Sequence, residues 1–343
     1  MFRPHAKIYG FLELPAHPQS KPDPHQRNSR RREVILLPQE HIEFFNQGLK
    51  LAGTLYLPRS APGRAPAIVV LHPARGAQRG FPFYRHLIEL LPPLGIAVLI
   101  FDRRGAGQSA GRFNTASFDD LAGDGAAAYD YLSSRPEIDP QKIGLYGISQ
   151  GGWIAPLIAA SRPTTAFLVI VSGCGVTPAR QMDFSAVISL RQAGYTGREV
   201  AIAMRLRALE NSYYRGQISG ESLASEIKKF ENAAWFEHAY VDSSSEIPPD
   251  YKSAKWFFEM DYDPLPVWER VRCPSLFLYA EQDRWVPAAE STFHLKNASR
   301  HLQDTAFFRV PGADHMMAEN SAVESISGRY LEILTAWLAS RLA

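Results

Sequence analysis

The chain has 343 residues, which suffices for one large domain with an insertion. Hydrophobic residues make up 45% and charged residues 21%, a globular composition that excludes a largely disordered chain. The net charge of +2 is too small to indicate a nucleic-acid partner or an anionic membrane surface.

Residues 1–32 are rich in proline, histidine and arginine, and we predict a flexible leader there. The start of the chain has no apolar stretch of signal-peptide length, and no run approaches the roughly 18 apolar residues of a membrane span. These observations favour a cytoplasmic protein. The two cysteines, Cys174 and Cys273, fit neither a metal-binding spacing nor a disulfide-rich framework.

Short apolar runs from residue 34 onward predict strands. The predicted strands are Val34–Leu37, Ile42–Phe45, Leu49–Leu57, Ala67–Leu71, Ala97–Phe101, Ile143–Tyr146, Ala166–Val171, Ser275–Tyr279 and Thr305–Val310. The later runs are nearly all apolar, which indicates strands that are covered on both faces.

Amphipathic patterns between the apolar runs predict helices. The clearest patterns cover Tyr84–Leu91, Ser117–Leu132 and Val323–Trp337. Ser117 and Asp120 have the spacing of a capping box, so the second helix is expected to begin there. The alternation of strands and helices predicts a mostly parallel central sheet with helices on both faces.

Residues 177–262 interrupt this alternation. They are mostly polar and helical in pattern, they carry several aromatic residues, and they show no strong strand pattern. We predict that they form a helical cap inserted into an α/β core made of residues 33–176 and 263–343. A cap above a site would use some of its aromatic side chains as a pocket wall, while the others pack among themselves.

The residues Gly147-Ile148-Ser149-Gln150-Gly151 read G-x-S-x-G, between a predicted strand and a helical stretch that starts at Gln150. A tight strand-to-helix turn lifts the serine hydroxyl out of the sheet edge, and the glycines leave room for that backbone. The helix N-terminus directs free N–H groups toward developing negative charge. Ser149 is therefore the predicted nucleophile, against the alternative of a serine in an ordinary glycine-rich loop.

With this turn, four other segments give the chain a resemblance to the α/β-hydrolase superfamily from about residue 40 to the C-terminus. They are Leu71-His72-Pro73-Ala74, Phe101-Asp102-Arg103-Arg104-Gly105-Ala106-Gly107-Gln108-Ser109, Tyr279-Ala280-Glu281-Gln282-Asp283-Arg284-Trp285-Val286-Pro287 and Pro311-Gly312-Ala313-Asp314-His315. The resemblance implies the α/β-hydrolase fold and a catalytic triad in the chain order Ser, Asp, His. It implies no cofactor and no metal.

The base and the acid of the triad follow from this resemblance. A serine hydroxyl needs a base with a pKa near neutrality, which favours histidine. His315 is the histidine in the turn after the last core strand, where the family places its base. Asp283 matches the family's acid position and would fix the imidazole tautomer. Glu281, Asp314 and Asp263 are the alternative acids.

The oxyanion hole is expected to use two backbone N–H groups. Gln150 would supply one, and the resemblance assigns the other to Ala74. In relatives the segment reads His-Gly-x, whereas here Pro73 replaces the glycine, so the N–H of Arg75 is an alternative donor. His72 is expected to support this loop rather than to take part in chemistry.

The expected reaction is hydrolysis of a small-molecule carboxylic ester with a small or medium apolar acyl group, through an acyl-enzyme on Ser149. The aromatic-rich insertion and the nearly neutral charge favour this substrate. Thioesterase and peptidase activity with the same triad are alternatives. A peptidase would need a carboxylate for a substrate amine, and Glu231, Glu237 and Glu259 are candidates. A different class is a non-catalytic binding protein on the same fold.

Overall fold

The computed structural model describes residues 38–59, 63–320 and 325–342. The predicted leader 1–32 and the predicted strand Val34–Leu37 lie outside these residues. Within them, the strands are β1 Gln39–Asn46, β2 Leu49–Tyr56, β3 Ala65–Leu71, β4 Ala97–Phe101, β5 Ile138–Ile148, β6 Leu168–Val171, β7 Ser275–Ala280 and β8 Thr305–Val310.

These strands form one sheet in the order β1-β2-β4-β3-β5-β6-β7-β8. β1 pairs with β2 and β2 with β4 in antiparallel fashion, while every pairing from β4 to β8 is parallel. The prediction of a mostly parallel sheet is confirmed. Because parallel strands present their carboxyl ends at one edge, the turns after β3, β5, β7 and β8 meet there.

The described helices are α1 Arg85–Leu90, α2 Phe118–Ser133, α3 Gly151–Ser161, α4 Pro178–Gln192, α5 Arg198–Tyr214, α6 Gly220–Lys228, α7 Lys255–Glu259, α8 Leu265–Trp268, α9 Ala288–Ala298 and α10 Gly328–Leu342. Helices outside residues 177–262 cover both faces of the sheet. Leu121 and Ile154 represent the core on one face, and Leu87 and Trp337 represent the core on the other.

Two helix starts can be compared with their predictions. Ser117 and Asp120 form the predicted capping box: Ser117 Oγ accepts from the Asp120 N–H at 3.1 Å, and Asp120 Oδ2 accepts from the Ser117 N–H at 2.8 Å. Val323, where the pattern of the last helix begins, lies outside the described residues; Ile326 of the same pattern forms a β-bridge with Ala318, and the helix begins at Gly328.

The expectation that the later strands are covered on both faces is wrong for β8. This strand is the outermost strand on one side of the sheet, and on it Phe308 is 39% exposed and Arg309 is also exposed. An edge strand has a neighbour on one side only, so its apolar sequence does not require full burial.

Helices α4 to α7 follow β6 and precede β7, within residues 177–262. We call residues 177–262 the inserted segment. It has a core of its own, in which Tyr214, Phe236 and Trp256 are buried. Cys174 follows β6 and Cys273 precedes β7. Because those strands are parallel neighbours, the two thiols lie at opposite edges of the sheet.

Candidate active site

Ser149 lies in the turn between β5 and α3, at the carboxyl edge of the sheet. Its backbone φ is 52°, in the left-handed region that residues other than glycine rarely adopt. The Ser149 N–H donates to the carbonyl of Val171 at 2.8 Å, which fixes the turn to the neighbouring strand. This is the strand-turn-helix context that the G-x-S-x-G pattern predicts, and it lifts the hydroxyl out of the sheet edge.

The two glycines of this turn are required by close backbone contacts. A Cβ on Gly147 would lie 2.3 Å from the carbonyl oxygen of Gly151, and a Cβ on Gly151 would lie 2.3 Å from the carbonyl oxygen of Leu71. Since both separations are far below van der Waals contact, neither position accepts a side chain without a backbone shift. The turn therefore packs directly against the end of β3.

His315 and Asp283 reach Ser149 from the turns that follow β8 and β7. Ser149 Oγ lies 2.9 Å from His315 Nε2, and His315 Nδ1 lies 2.8 Å from Asp283 Oδ2. Ser172 Oγ donates to the backbone carbonyl of His315 at 2.9 Å, which holds the histidine turn beside β6. The structure thus brings the three residues into one line of hydrogen bonds, from hydroxyl to imidazole to carboxylate.

The turn that carries Asp283 orients its carboxylate. Asp283 Oδ1 accepts from the N–H groups of Trp285 and Val286 at 2.8 and 3.1 Å. Oδ2 is thereby directed at the imidazole of His315. The side chain of Asp283 is 1% exposed and that of His315 is 14% exposed, so the pair is largely shielded from water.

The alternative acids have other partners. Glu281 accepts from the N–H of Gly312 at 3.0 Å, and Asp314 accepts from backbone N–H groups of its own turn. Asp263 accepts from the N–H of Leu265 at 3.0 Å, at the start of α8. Each of these carboxylates stabilises a turn, and Asp283 is the one that contacts the imidazole.

The electrostatics around His315 favour its protonated form. Burial of the imidazole opposes protonation, but the charge of Asp283 and its hydrogen bond outweigh burial and raise the pKa of His315. A raised pKa makes the ring a stronger base than a free histidine, which suits a group that must take a proton from a serine hydroxyl.

The loop after β3 is fixed by Arg103. Its guanidinium donates to the carbonyl oxygens of Pro73 and Ala74, the latter at 3.2 Å. Because the C=O and N–H of a trans peptide point in opposite directions, the N–H groups of Ala74 and Arg75 point away from Arg103. Within the described residues, the N–H groups of Ala74 and Gln150 make no hydrogen bond. Both are therefore available as donors to a ligand oxygen.

His72 lies beneath this loop. Its Nε2 lies 2.5 Å from the carbonyl oxygen of Phe101, and its Nδ1 lies 2.5 Å from the hydroxyl of Tyr84. Burial, with a smaller contribution from the nearby charge of Arg103, lowers the pKa of His72 to about 3. The neutral ring donates from Nε2 and accepts at Nδ1, which supports the loop from below.

A cavity of about 120 Å³ lies beside Ser149. The sheet side and the inserted segment both contribute to its wall. Besides Ser149 and His315, the residues from the sheet side are Pro73, Ala74, Arg75, Phe81, Gln150, Trp153, Trp285 and Met316. The residues from the inserted segment are Pro178, Gln181, Met182, Trp256 and Glu259. Most of the wall is therefore apolar or aromatic.

Ring stacking and hydrogen bonds join the inserted segment to the turn that carries Asp283. The rings of Tyr240 and Trp285 stack with centroids 5.4 Å apart. Gln181 Nε2 and Ser185 Oγ donate to the carbonyl oxygen of Trp285 at 3.0 and 3.2 Å. The helical side of the cavity is thus bound to the sheet side next to Asp283.

The sequence did not predict the polar group that meets the side chain of Gln150. Gln150 Nε2 donates to Glu259 Oε1 at 2.9 Å, and Lys255 Nζ lies 2.6 Å from the same oxygen. From the sequence, Glu259 was a candidate only for binding a substrate amine. The spacing of Lys255 and Glu259 by four residues was the one available signal, and it indicates a pair on one helix face without naming Gln150.

In the part of the chain that the structure describes, no group of three or more His, Cys, Asp or Glu side chains is arranged to hold a metal ion. None of the helices in residues 38–59, 63–320 and 325–342 is both long enough and apolar enough to cross a membrane.

The fold and the site agree with a family assignment from sequence. Residues 68–325 match the model of the alpha/beta hydrolase family. Since this match covers well over half of the chain, the protein belongs to the alpha/beta hydrolase family.

Curated relatives match a shorter stretch. An uncharacterized protein of Mycobacterium tuberculosis is 34% identical over 122 residues, which are 36% of this chain and 41% of that protein. Thiohydrolase aneE of Aspergillus aculeatus is 33% identical over 140 residues, which are 39% of this chain and 40% of that protein. The matches thus span about two fifths of the length of these relatives.

A solved structure supports the fold over a longer range. The Pyrococcus furiosus esterase Pf2001 has a TM-score of 0.58 to this chain at 17% sequence identity, and the alignment covers 90% of this chain and 92% of the esterase. At this identity the likeness concerns the fold.

Proposed function

We propose that this protein is a serine hydrolase in which Ser149 is the nucleophile, His315 the base and Asp283 the residue that orients the base. The observation that carries the proposal is the line of hydrogen bonds from Ser149 Oγ to His315 Nε2 at 2.9 Å and from His315 Nδ1 to Asp283 Oδ2 at 2.8 Å. This arrangement has the order and the reach that nucleophilic catalysis by serine needs.

In the first half of the proposed reaction, Ser149 Oγ attacks the substrate carbonyl carbon while its proton passes to His315 Nε2. Asp283 stabilises the imidazolium that forms. The N–H groups of Ala74 and Gln150 donate to the oxyanion of the tetrahedral intermediate. The intermediate then breaks its bond to the leaving oxygen, which takes the proton from His315 and departs as an alcohol. The acyl group stays on Ser149.

In the second half, a water molecule attacks the acyl carbon and gives its proton to His315. The same two N–H groups stabilise the second oxyanion. When that intermediate breaks, Ser149 Oγ leaves and recovers the proton, and the acyl group departs as a carboxylic acid. The protein is then unchanged, and the balance requires only water.

The cavity favours an ester with a short or medium apolar acyl group. Its volume of about 120 Å³ is close to the roughly 150 Å³ that accommodates a benzene molecule in a dry protein cavity. Trp153, Met182 and Trp256 contribute apolar wall. We propose that residues 177–262 act as a cap, since this segment supplies one side of that wall.

A thioester is the main alternative substrate, because one relative of this chain is named a thiohydrolase. The same attack and the same oxyanion stabilisation apply to a thioester. A peptidase is less well supported. Of the three candidate carboxylates for a substrate amine, only Glu259 lines the cavity, and its charge is already matched by Lys255 at 2.6 Å.

The test is hydrolysis of p-nitrophenyl esters from acetate to palmitate by the wild-type protein and by Ser149→Ala. We expect turnover with an optimum at short or medium chains, and a loss of kcat on the order of 10⁴-fold or more in the variant. Ser161→Ala, on the same helix α3 and distant from the imidazole, is the matched control and should keep wild-type turnover.

A fluorophosphonate probe separates this proposal from the binding-protein alternative. The wild-type protein should be labelled at Ser149, and Ser149→Ala should not be labelled. Folded wild-type protein that neither cleaves esters or thioesters nor reacts with the probe would contradict the proposal and leave a non-catalytic role on the same fold.

A further inference from the structure

The short helix α7 of the inserted segment places a buried ion pair beside the oxyanion site. Lys255 and Glu259 are 2% and 3% exposed, and Lys255 Nζ lies 2.6 Å from Glu259 Oε1. Lys255 Nζ also donates to the carbonyl of Ala116 and lies 4.6 Å from the ring centre of Phe113. The lysine of the pair is thus held against the sheet side of the molecule, by Ala116 and Phe113.

The glutamate end of the pair is held against Gln150. Glu259 Oε1 accepts from Gln150 Nε2 at 2.9 Å. An ionised carboxylate can only accept, so the nitrogen of the Gln150 amide must face Glu259 and the orientation of the amide is fixed. Gln150 Oε1 is buried and has no partner within the described residues. The position of the Gln150 side chain therefore depends on the hydrogen bond from its Nε2 to Glu259.

Gln150 is the residue whose backbone N–H we assign to the oxyanion. It directly follows Ser149, and it precedes α3 with helical backbone angles of −53° and −34°. Gln150 is 3% exposed, so its contact with Glu259 is shielded from bulk water. A hydrogen bond to an ionised partner in such surroundings is stronger than one at the surface.

We propose that Glu259 and Lys255 are positioning residues. By holding the side chain of Gln150, they position the backbone N–H of Gln150 in the oxyanion hole. This inference rests on the proposed serine hydrolase function. Through the contact between Glu259 and Gln150, the inserted segment completes the catalytic geometry and also forms a wall of the cavity.

The expected kinetic signature follows from when the oxyanion exists. Negative charge on the carbonyl oxygen develops in the transition state and not in the bound ester, so a misplaced N–H lowers kcat more than it raises KM. Complete removal of an oxyanion donor costs about 10²–10³-fold in kcat in other enzymes. Loosening a donor that remains present should cost less, about tenfold.

The test compares two double variants that both remove the buried charges. Lys255→Met/Glu259→Gln keeps an oxygen that accepts from Gln150 Nε2, whereas Lys255→Met/Glu259→Leu removes it. Removing both charges together avoids a lone buried ion, which would destabilise the fold on its own. We expect the leucine double variant to lose about tenfold in kcat with KM changed by less than about threefold, and the glutamine double variant to stay near wild type.

A thermodynamic cycle adds a second readout. Gln150→Met should lower kcat about as much as the leucine double variant does. Combining the two should lower kcat no further, because both remove the same hydrogen bond. Additive losses, equal kcat in the two double variants, or losses confined to KM would each overturn the proposal, since a purely structural role predicts them.

Arg207→Met/Asp183→Leu is the matched control. It removes another ion pair of the inserted segment, of 2.7 Å, that has no contact with Gln150. It should lower the melting temperature without the selective loss of kcat. If the wild type cleaves no ester, the same variants are compared by the rate of fluorophosphonate labelling, which also requires the oxyanion hole. Labelling of the wild type with equal rates in all variants would overturn this inference alone, whereas no labelling of the wild type would overturn the proposed function itself.

Discussion

The sheet side and the helical side of the cavity hold their polar groups in different ways. On the sheet side, Ser149, Asp283 and His315 stand on turns that follow parallel strands, and backbone hydrogen bonds fix those turns. On the helical side, Glu259 stands on a short helix, and its place depends on a buried ion pair with Lys255. The topology of the sheet determines the first arrangement, and pairing between side chains determines the second.

This difference separates the chemistry from its support. A change on the sheet side removes a group that would exchange protons or form bonds with the substrate. A change on the helical side moves such a group without removing it. We therefore expect losses of activity on the sheet side to be larger by orders of magnitude, and the following predictions test that expectation.

The largest effect after loss of the nucleophile is expected for Asp283→Asn. An amide in this place favours the wrong tautomer of His315 and cannot stabilise the imidazolium, so kcat should fall about 10⁴-fold. Ester hydrolysis measures the effect. Asp263→Asn is the matched control because Asp263 is exposed and, within the described residues, its carboxylate accepts from a backbone N–H at the start of α8. A comparable loss in both variants would contradict the assignment of the acid.

The pH dependence of the reaction should report on the same contact. The base must be unprotonated to accept the serine proton, so kcat/KM falls as the pH drops through the pKa of His315. Asp283 raises that pKa, which places the midpoint of the acid limb above the usual value of about 6.5. In Asp283→Asn the raising charge is gone and burial remains, so the pKa should shift downward.

The shift can be measured without turnover. The imidazole resonances of His315 are titrated by NMR in Ser149→Ala and in Ser149→Ala/Asp283→Asn. An unchanged midpoint in the second protein would mean that the contact of 2.8 Å between Asp283 and His315 does not govern the base in solution.

Much of the sheet side was predictable from the sequence. Buried parallel strands are nearly continuous apolar runs, and the G-x-S-x-G pattern requires its glycines because of backbone contacts of 2.3 Å at Gly147 and Gly151. Such constraints act between residues that are close in the chain or lie on adjacent strands. They predicted the strands along the chain and the turn around Ser149, whereas the order of the strands in the sheet, including the edge position of β8, followed from no local pattern.

The helical side was not predictable in the same way. The sequence indicated helices in residues 177–262 but not which side chains reach the cavity. Gln150 and Glu259 are 109 positions apart, and their contact depends on how two separately packed layers meet. Neither hydrophobic period nor motif spacing specifies such a contact, so Lys255 was not named at all.

A third prediction concerns stability on the sheet side away from the cavity. Burial lowers the pKa of His72 to about 3, so the folded protein keeps this ring neutral at a pH where an unfolded chain would protonate it. His86, whose pKa burial lowers to about 4, acts in the same direction. At these two rings the unfolded state therefore binds more protons below about pH 6.5, so both rings make folding stability decrease as the pH falls from there toward 3.

The contribution of His72 can be isolated with His72→Gln, which keeps a donor and an acceptor. The wild type should lose about 1.4 kcal/mol of unfolding free energy per pH unit from this residue below its unfolded pKa. The variant should be less stable at pH 7 but should show a shallower decline between pH 6.5 and 5. Urea unfolding at several pH values measures both. Equal slopes would mean that His72 is protonated in the folded protein.

The smallest expected effect lies at the contact between the two sides. Gln181 and Ser185 of α4 donate to the carbonyl oxygen of Trp285, two residues after Asp283. Asp283 is fixed independently by N–H groups of its own turn. Gln181→Ala/Ser185→Ala should therefore lower the unfolding free energy by about 1–2 kcal/mol and leave kcat within about twofold of wild type.

The exposed ion pair between Arg180 and Glu290 provides the control for this last prediction. It also joins α4 to the sheet side, at 2.8 Å, but its arginine is 51% exposed, so Arg180→Met should change stability by less than about 1 kcal/mol. If Gln181→Ala/Ser185→Ala instead lowered kcat as strongly as the loss of Glu259, the inserted segment would act on the acid as well as on the oxyanion hole. The helical side would then influence Asp283 through Trp285 as well as the oxyanion hole through Gln150, and its effect on activity would no longer be limited to the oxyanion hole.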